Sequence, residues 1–195
     1  MTTRRCFVAL ALAWATLLYC VPAHATTTEE AIAIACGPGH AELAPIIDAA
    51  ARRQLEHPVT LVALIKSESP RCDPNAVNPR THAVGLTQIL PTGSANPRHL
   101  SIEELKDPAT NINLGARHLA GLLTMCGSLG SAVHVYHGHK TCGGWKHDRH
   151  ARKVLGIVAH LWAEMRKRSY PSVVGQFGPD ADAMLLDHAS QPWHS

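Results

Sequence analysis

The chain has 195 residues, 46% of them hydrophobic and 17% charged, with a formal net charge of +3. No internal repeat or low-complexity tract interrupts it, so it is long enough for one domain with a real core. Without Arg4 and Arg5, which fall in an export segment, 16 basic residues face 15 acidic ones, and nothing electrostatic argues for a nucleic acid partner.

Residues 1–25 read as a signal peptide. Arg4 and Arg5 supply the positive end, Phe7 to Val21 the apolar run, and Ala23-His24-Ala25 a small-x-small cleavage site. The run is too short and wrongly flanked for a membrane span. Leu17-Leu18-Tyr19-Cys20 has the outline of a lipid-attachment box, but Tyr19 is too large for its position, and cleavage after Ala25 is favoured. The mature product, residues 26–169 plus a tail, is expected outside the cytoplasm, in the periplasm or beyond.

Thr26 to His40 reads as short and polar, broken at Gly37-Pro38-Gly39. Glu42 to Leu55 predicts a helix with an apolar stripe of Leu43, Ile46, Ile47, Ala50 and Leu55. His57-Pro58 predicts the start of a buried helix over 58–69, carrying Val59, Leu61, Val62, Leu64 and Ile65. Arg71 to Asn96 follows as a long loop with a short hairpin around Val84 to Leu90, and such loops in compact domains often bind ligands. Ser101-Ile102-Glu103-Glu104 has capping-box spacing. Asp107-Pro108 opens a longer helix with Ile112, Ala116, Leu119 and Leu123 on one face and Gly127 past its end. Ser131 to His137 is read as helical. His147 to Arg168 is the clearest helix, with Ala151, Val154, Leu155, Val158, Leu161, Trp162 and Met165 as core and a basic end that suits the dipole. Residues 170–195, rich in Pro and Gly, read as a loosely docked tail.

Four cysteines remain after the export segment: Cys36, Cys72, Cys126 and Cys142. An even number in an oxidising compartment suggests two disulfides, with three possible pairings. Cys36–Cys72 and Cys126–Cys142 are preferred, because each ties a helix end to a neighbouring loop.

The candidate for chemistry is Glu68, the single carboxylate in its apolar helix. It stands in the last turn, facing the negative end of the helix dipole, with Leu64 and Ile65 one turn behind. Both effects disfavour the charged form, as a general acid requires. Downstream come Ala76-Val77-Asn78, Gly85-Leu86-Thr87-Gln88-Ile89, Asn111-Ile112-Asn113-Leu114-Gly115 and Val135-Tyr136. With Glu68-Ser69 these resemble, in order and spacing, the motifs of the lytic transglycosylase family over about residues 40 to 160.

The resemblance implies a mainly α, lysozyme-like domain with a possible short hairpin beside the cleft. It also implies a peptidoglycan substrate, no cofactor, and one carboxylate acting twice. Glu68 would protonate the bond between N-acetylmuramic acid and N-acetylglucosamine, then take the proton of the muramic 6-hydroxyl as a 1,6-anhydro ring closes. Gln88 matches the family's saccharide-binding Gln. Ser69, Asn78, Gly85, Leu86 and Tyr136 are carried over as substrate-binding positions, Gly85 as a close backbone approach to the cleft. Two departures stand out: Thr87 replaces the family's usual Met, removing an apolar platform for the sugar, and Val135 to His139 lacks the usual Asn and Gly spacing. Asp73, Glu103, Glu104 and Asp107 sit in loop or cap contexts that suit structural roles. Small exported enzymes of this kind often serve secretion or conjugation machinery.

Three rivals remain. His134, His137, His139, Cys142, His147 and His150 cluster closely enough for zinc, although no clear ligand spacing is present and no metal is assigned. A non-catalytic glycan-binding module would leave Glu68 structural, against which the Glu-Ser pair counts. A lysozyme-type hydrolase would need the second carboxylate that does not stand out.

Overall fold

A computed structural model of the chain describes residues 27–54 and 57–169. The export segment and the tail, with the readings made for them, lie outside the described residues. The described residues contain seven α-helices, two short 3-10 turns and isolated β-bridges, but no named strand.

Helix α1, Thr27–Ala35, begins with Glu29 and Glu30 in its first turn, where carboxylates complement the dipole. It buries Ala31 and Ile32. This corrects the reading of Thr26 to His40 as polar chain: nine residues with two apolar anchors are too few for a visible stripe, yet packing stabilises them. A 3-10 turn, Pro38–Leu43, leads into α2, Ala44–Gln54. The predicted start at Glu42 is therefore early by two residues, with Pro45 in the first turn, where its missing N–H costs nothing.

Helix α3, Pro58–Glu68, is the centre of the molecule. Val59 to Ile65 and Ser67 are all buried, so it has no amphipathic face and packs against α1, α2 and the last helix. His57 caps it: the ring Nδ1 accepts from Val59 N at 3.2 Å. Pro58 supplies the first helical φ. Helix α4, Ile102–Leu105, has both halves of its capping box. Helix α5, Pro108–Cys126, runs from an Asp107 cap to Gly127 in the left-handed conformation, as the sequence predicts. Helix α6, Leu129–Tyr136, starts two residues before the expected Ser131 because Ser128 caps it. Helix α7, Arg149–Ser169, follows a 3-10 turn at Trp145–His147.

The main core gathers residues of α1, α2, α3, α5, α6 and α7 around Leu61, Leu64 and Ile65. A second cluster, Val84, Ile89, Leu105 and Leu114, lies beneath the long loop. The expected hairpin is reduced to two bridges, Val77 with Val84 and Val84 with Ile89. Disulfides join Cys36 to Cys72 and Cys126 to Cys142. The first ties the end of α1 to the turn after α3, and the second ties the end of α5 to the loop before α7. Among the described residues no helix is long and apolar enough to cross a membrane.

Candidate active site

Helix α3 stops at Ser69, whose backbone leaves the helical region just ahead of Pro70. The hydroxyl accepts from Asp73 N at 3.0 Å and donates to Asp73 O at 3.3 Å, folding the chain back just after Glu68. Ser69 is therefore engaged with the backbone. Across the domain, Lys153 of α7 donates to Ser67 O at 3.0 Å, satisfying a carbonyl at the C-terminal end of α3. Glu68 is thus held between two fixed neighbours in sequence, with its carboxyl 13% exposed.

Its contact in space is one that sequence reading did not pair with it. Glu68 Oε1 lies 2.9 Å from His150 Nε2. The two atoms are buried and have no hydrogen-bond partner, because the approach lacks hydrogen-bond alignment. Two polar atoms enclosed together at this distance interact electrostatically whatever the tilt of the ring. His150 stacks on His137 with centroids 4.0 Å apart and planes 6° from parallel. Burial, and then the neighbouring His150, hold the His137 ring below the usual histidine range.

Asp148, not singled out in the sequence, organises this corner. It precedes α7 as a cap, with Oδ1 accepting from His150 N at 2.8 Å. Its Oδ2 lies 2.8 Å from His134 Nδ1. Burial raises the carboxyl, but the hydrogen bonds from His134 and the His150 amide outweigh it and leave Asp148 below the usual range. His134, His139 and Asp148 each bring one ligand atom within 4.8 Å of the others. A metal sits in the plane of an imidazole that binds it, however, and the two rings are stacked at 3.7 Å and 11°. As arranged, His134 is hydrogen-bonded to Asp148, and His139 stacks on His134 with its Nε2 3.7 Å from Asp148 Oδ2.

The other motif segments are joined by Asn111. Its Nδ2 donates to Val84 O at 2.9 Å and Leu105 O at 2.8 Å. Its Oδ1 accepts from Thr87 N and Thr87 Oγ1, each at 2.8 Å. All the capacity of a buried amide is used. Gly85 has a φ of +80°, and a Cβ there would lie 2.6 Å from Asn111 Cγ and 2.9 Å from Leu105 O. The glycine serves this packing, where sequence reading gave it an approach to the cleft. A Cβ on Gly115 would likewise come within 2.6 Å of Thr87 Cβ.

Thr87 is 1% exposed. The side chain faces Asn111 and Gly115, and its carbonyl accepts from the Tyr136 hydroxyl at 2.8 Å. Tyr136 keeps some surface, but its hydroxyl end is enclosed. Burial, and then the charge of Glu68, push that hydroxyl far above the ordinary tyrosine range. Tyr136 is a neutral donor beside Glu68. Leu86 is fully buried in the main core. Gln88 has a φ of +52° and donates from Nε2 to Gly85 O at 2.9 Å. Asn78 accepts from Arg80 N and Thr81 N, an Asx turn. The structure therefore places Tyr136 beside Glu68, and uses Ser69, Asn78, Gly85 and Leu86 to shape the backbone around it.

The match to known proteins follows this geometry. The transglycosylase SLT domain model matches residues 45–154. The chain belongs to that family. The match runs from the start of α2 into α7 and so takes in Glu68, the long loop, Asn111, Tyr136 and His150. The mainly α architecture is the lysozyme-like fold of SLT domains. No curated protein matches the chain.

Beyond Tyr136 lies a pocket of about 210 Å³ lined by Ser94, Ala95, Arg117, His118 and Leu122 among others. It does not include Glu68. His118 links the two, with its ring 5.1 Å from that of Tyr136.

Proposed function

We propose that this SLT domain is a peptidoglycan lytic transglycosylase that cleaves the β-1,4 bond from N-acetylmuramic acid to N-acetylglucosamine, with Glu68 as acid and then base. The observation that carries the reading is the setting of Glu68. It is a nearly buried carboxyl beside a neutral tyrosine, with one oxygen held against an imidazole. As the C1–O4 bond breaks, Glu68 gives its proton to the leaving oxygen. As the muramic 6-hydroxyl attacks C1, Glu68 takes that hydroxyl's proton, and the residue ends as it began.

A hydrolase would need a second carboxylate to orient water. The acids that could serve are engaged elsewhere. Asp73 Oδ1 accepts from Asn75 N, Glu104 completes the capping box, Asp107 caps α5, and Glu103 pairs with Lys106. Asp148 has both oxygens in hydrogen bonds. The 6-hydroxyl, carried by the same sugar, has an effective concentration that unpositioned water does not match. The pocket beyond Tyr136, with Arg117 and His118 on its wall, offers hydrogen-bond donors to a neighbouring sugar, and Gln88 offers a further amide. The two disulfides suit an exported enzyme, working on peptidoglycan in the periplasm or outside the cell, with a secretion or conjugation apparatus as its setting.

Digestion of purified peptidoglycan followed by mass analysis tests the reading. The products should end in 1,6-anhydromuramic acid, one water lighter than hydrolysis products, and borohydride should leave those ends unchanged. Reducible ends would make the enzyme a hydrolase, and an absence of cleavage would make the domain a binding module. Glu68→Gln should lower turnover by about 10²–10⁴-fold with the melting temperature preserved. Substantial activity in that folded variant would remove Glu68 from its role.

A further inference from the structure

The Glu68–His150 contact is the strongest unexplained feature of the described residues. Buried polar atoms are nearly always hydrogen-bonded, and those that are not call for an explanation. Here Glu68 Oε1 and His150 Nε2 are both buried, both lack a hydrogen bond, and face each other at 2.9 Å. Each is the partner the other lacks.

We propose that His150 is a positioning residue for Glu68: its imidazole holds Oε1 and thereby presents the other carboxyl oxygen to the glycosidic bond. This rests on the reading of Glu68 as the acid. The terminal torsion of a glutamate is broad and roughly two-fold, so a carboxyl with no partner samples many orientations. A fixed N–H against one oxygen selects among them. Small errors in placing a reacting group are costly, with misplacement by about 1 Å worth on the order of a hundredfold in rate.

His150 is itself fixed from three directions. Its amide is bound to Asp148, its ring lies flat on His137, and it belongs to the first turn of α7, whose buried stripe anchors it to the core. Asp148 is in turn held by His134. At 2.9 Å, a rotation about the broad terminal torsion of Glu68 is enough to align the contact. His150 exchanges no atom with the sugar. The proton travels from Glu68 to O4 and returns from O6, and the imidazole N–H supports the carboxylate that exists between those steps.

The test compares three variants of the full chain on purified glycan strands, with kcat and KM measured separately from the release of anhydro products. His150→Ala should lower kcat by about ten- to a hundredfold with KM within about threefold. His150→Phe keeps a ring to stack on His137 but has no donor, and should lose kcat to a similar extent. His150→Gln carries an N–H that can reach Oε1, and should recover at least about fivefold over the phenylalanine variant. If His150→Ala fails to fold, the comparison of Phe with Gln decides. Wild-type kcat in the alanine or phenylalanine variant, a loss confined to KM, or a glutamine variant no better than phenylalanine would each overturn the positioning role. Where the wild type makes anhydro ends and Glu68→Gln makes none, those outcomes remove His150 alone. An active Glu68→Gln protein, or a wild type that cuts no glycan, removes the acid and its positioning residue together.

Discussion

Asn111 shows how much a single buried amide can organise. Four hydrogen bonds join it to Val84, Thr87 and Leu105, so two loop segments and the end of α4 meet at one side chain of α5. Asn111→Ala would leave the Leu105 carbonyl and the Thr87 amide without partners in a place closed to water, while the Val84 carbonyl keeps its bond from Ile89 N. At about 1–3 kcal/mol for each unsatisfied group, the loss should exceed about 2 kcal/mol. A fall in the urea midpoint with unchanged slope would register it. The same packing predicts the fate of a family-like substitution. Thr87→Met should give no gain in sugar affinity, because position 87 faces Gly115 and Asn111. Overpacking should cost about 1–3 kcal/mol in addition to the lost hydrogen bonds. A methionine variant that binds glycan strands more tightly at unchanged stability would contradict this placement. The sequence marks Asn111 and Thr87 as parts of motifs, but it cannot say that they touch each other.

Among the elements, α3 was readable nearly to the residue, because Pro58 and Ser69-Pro70 bracket a continuous apolar run. The caps of α4 and α5 were equally legible, since Ser101, Asp107 and Gly127 act on backbone groups within a few positions. Helix α1 was not legible, being short and stabilised by contacts made elsewhere in the chain. The partnership of Glu68 with His150 was hidden for the same reason. The His-rich segment drew notice for its composition, but only the packing of α7 on α3 brings one of its rings to the carboxyl. The disulfides act at this scale as well. Replacing Cys126 and Cys142 with Ser should cost about 2–4 kcal/mol by the loop-closure argument. Because the bridge fixes the segment between α6 and α7, where His139 and Asp148 lie, turnover should fall further than the melting temperature suggests. Equal stability with and without reductant would show that the bridge is not formed.

The whole molecule should lose stability on acidification. Burial lowers His57 and His137, and burial with the Arg117 charge lowers His118. A histidine lowered in the folded state binds fewer protons there than in the unfolded chain. Its contribution is therefore present above the unfolded value near 6.5 and declines as pH falls through it. Asp107 and Asp148 are also lowered, by hydrogen bonds, and their contributions disappear at still lower pH as the folded carboxyls take up protons. All these groups act in the same direction. The melting temperature should hold steady from pH 8 to about 7, decline below about 6.5, and drop again below about 4. For His57 the effect is also local, since protonation of Nδ1 removes the acceptor that caps α3. A melting temperature that rises from pH 7 to 5 would contradict the burial of these rings.

The convergence of motif segments on Asn111 also governs what a mutational survey of this protein can reveal. A screen that scores only wall lysis will return positions 85, 87, 111 and 115 beside 68, and will rank them alike. Four of those five hold the scaffold in register, and only Glu68 has a proposed role at the glycosidic bond. A survey scored in parallel for abundance of the folded protein would separate them at once: the scaffold positions would vanish from both readouts, while Glu68 would vanish from one.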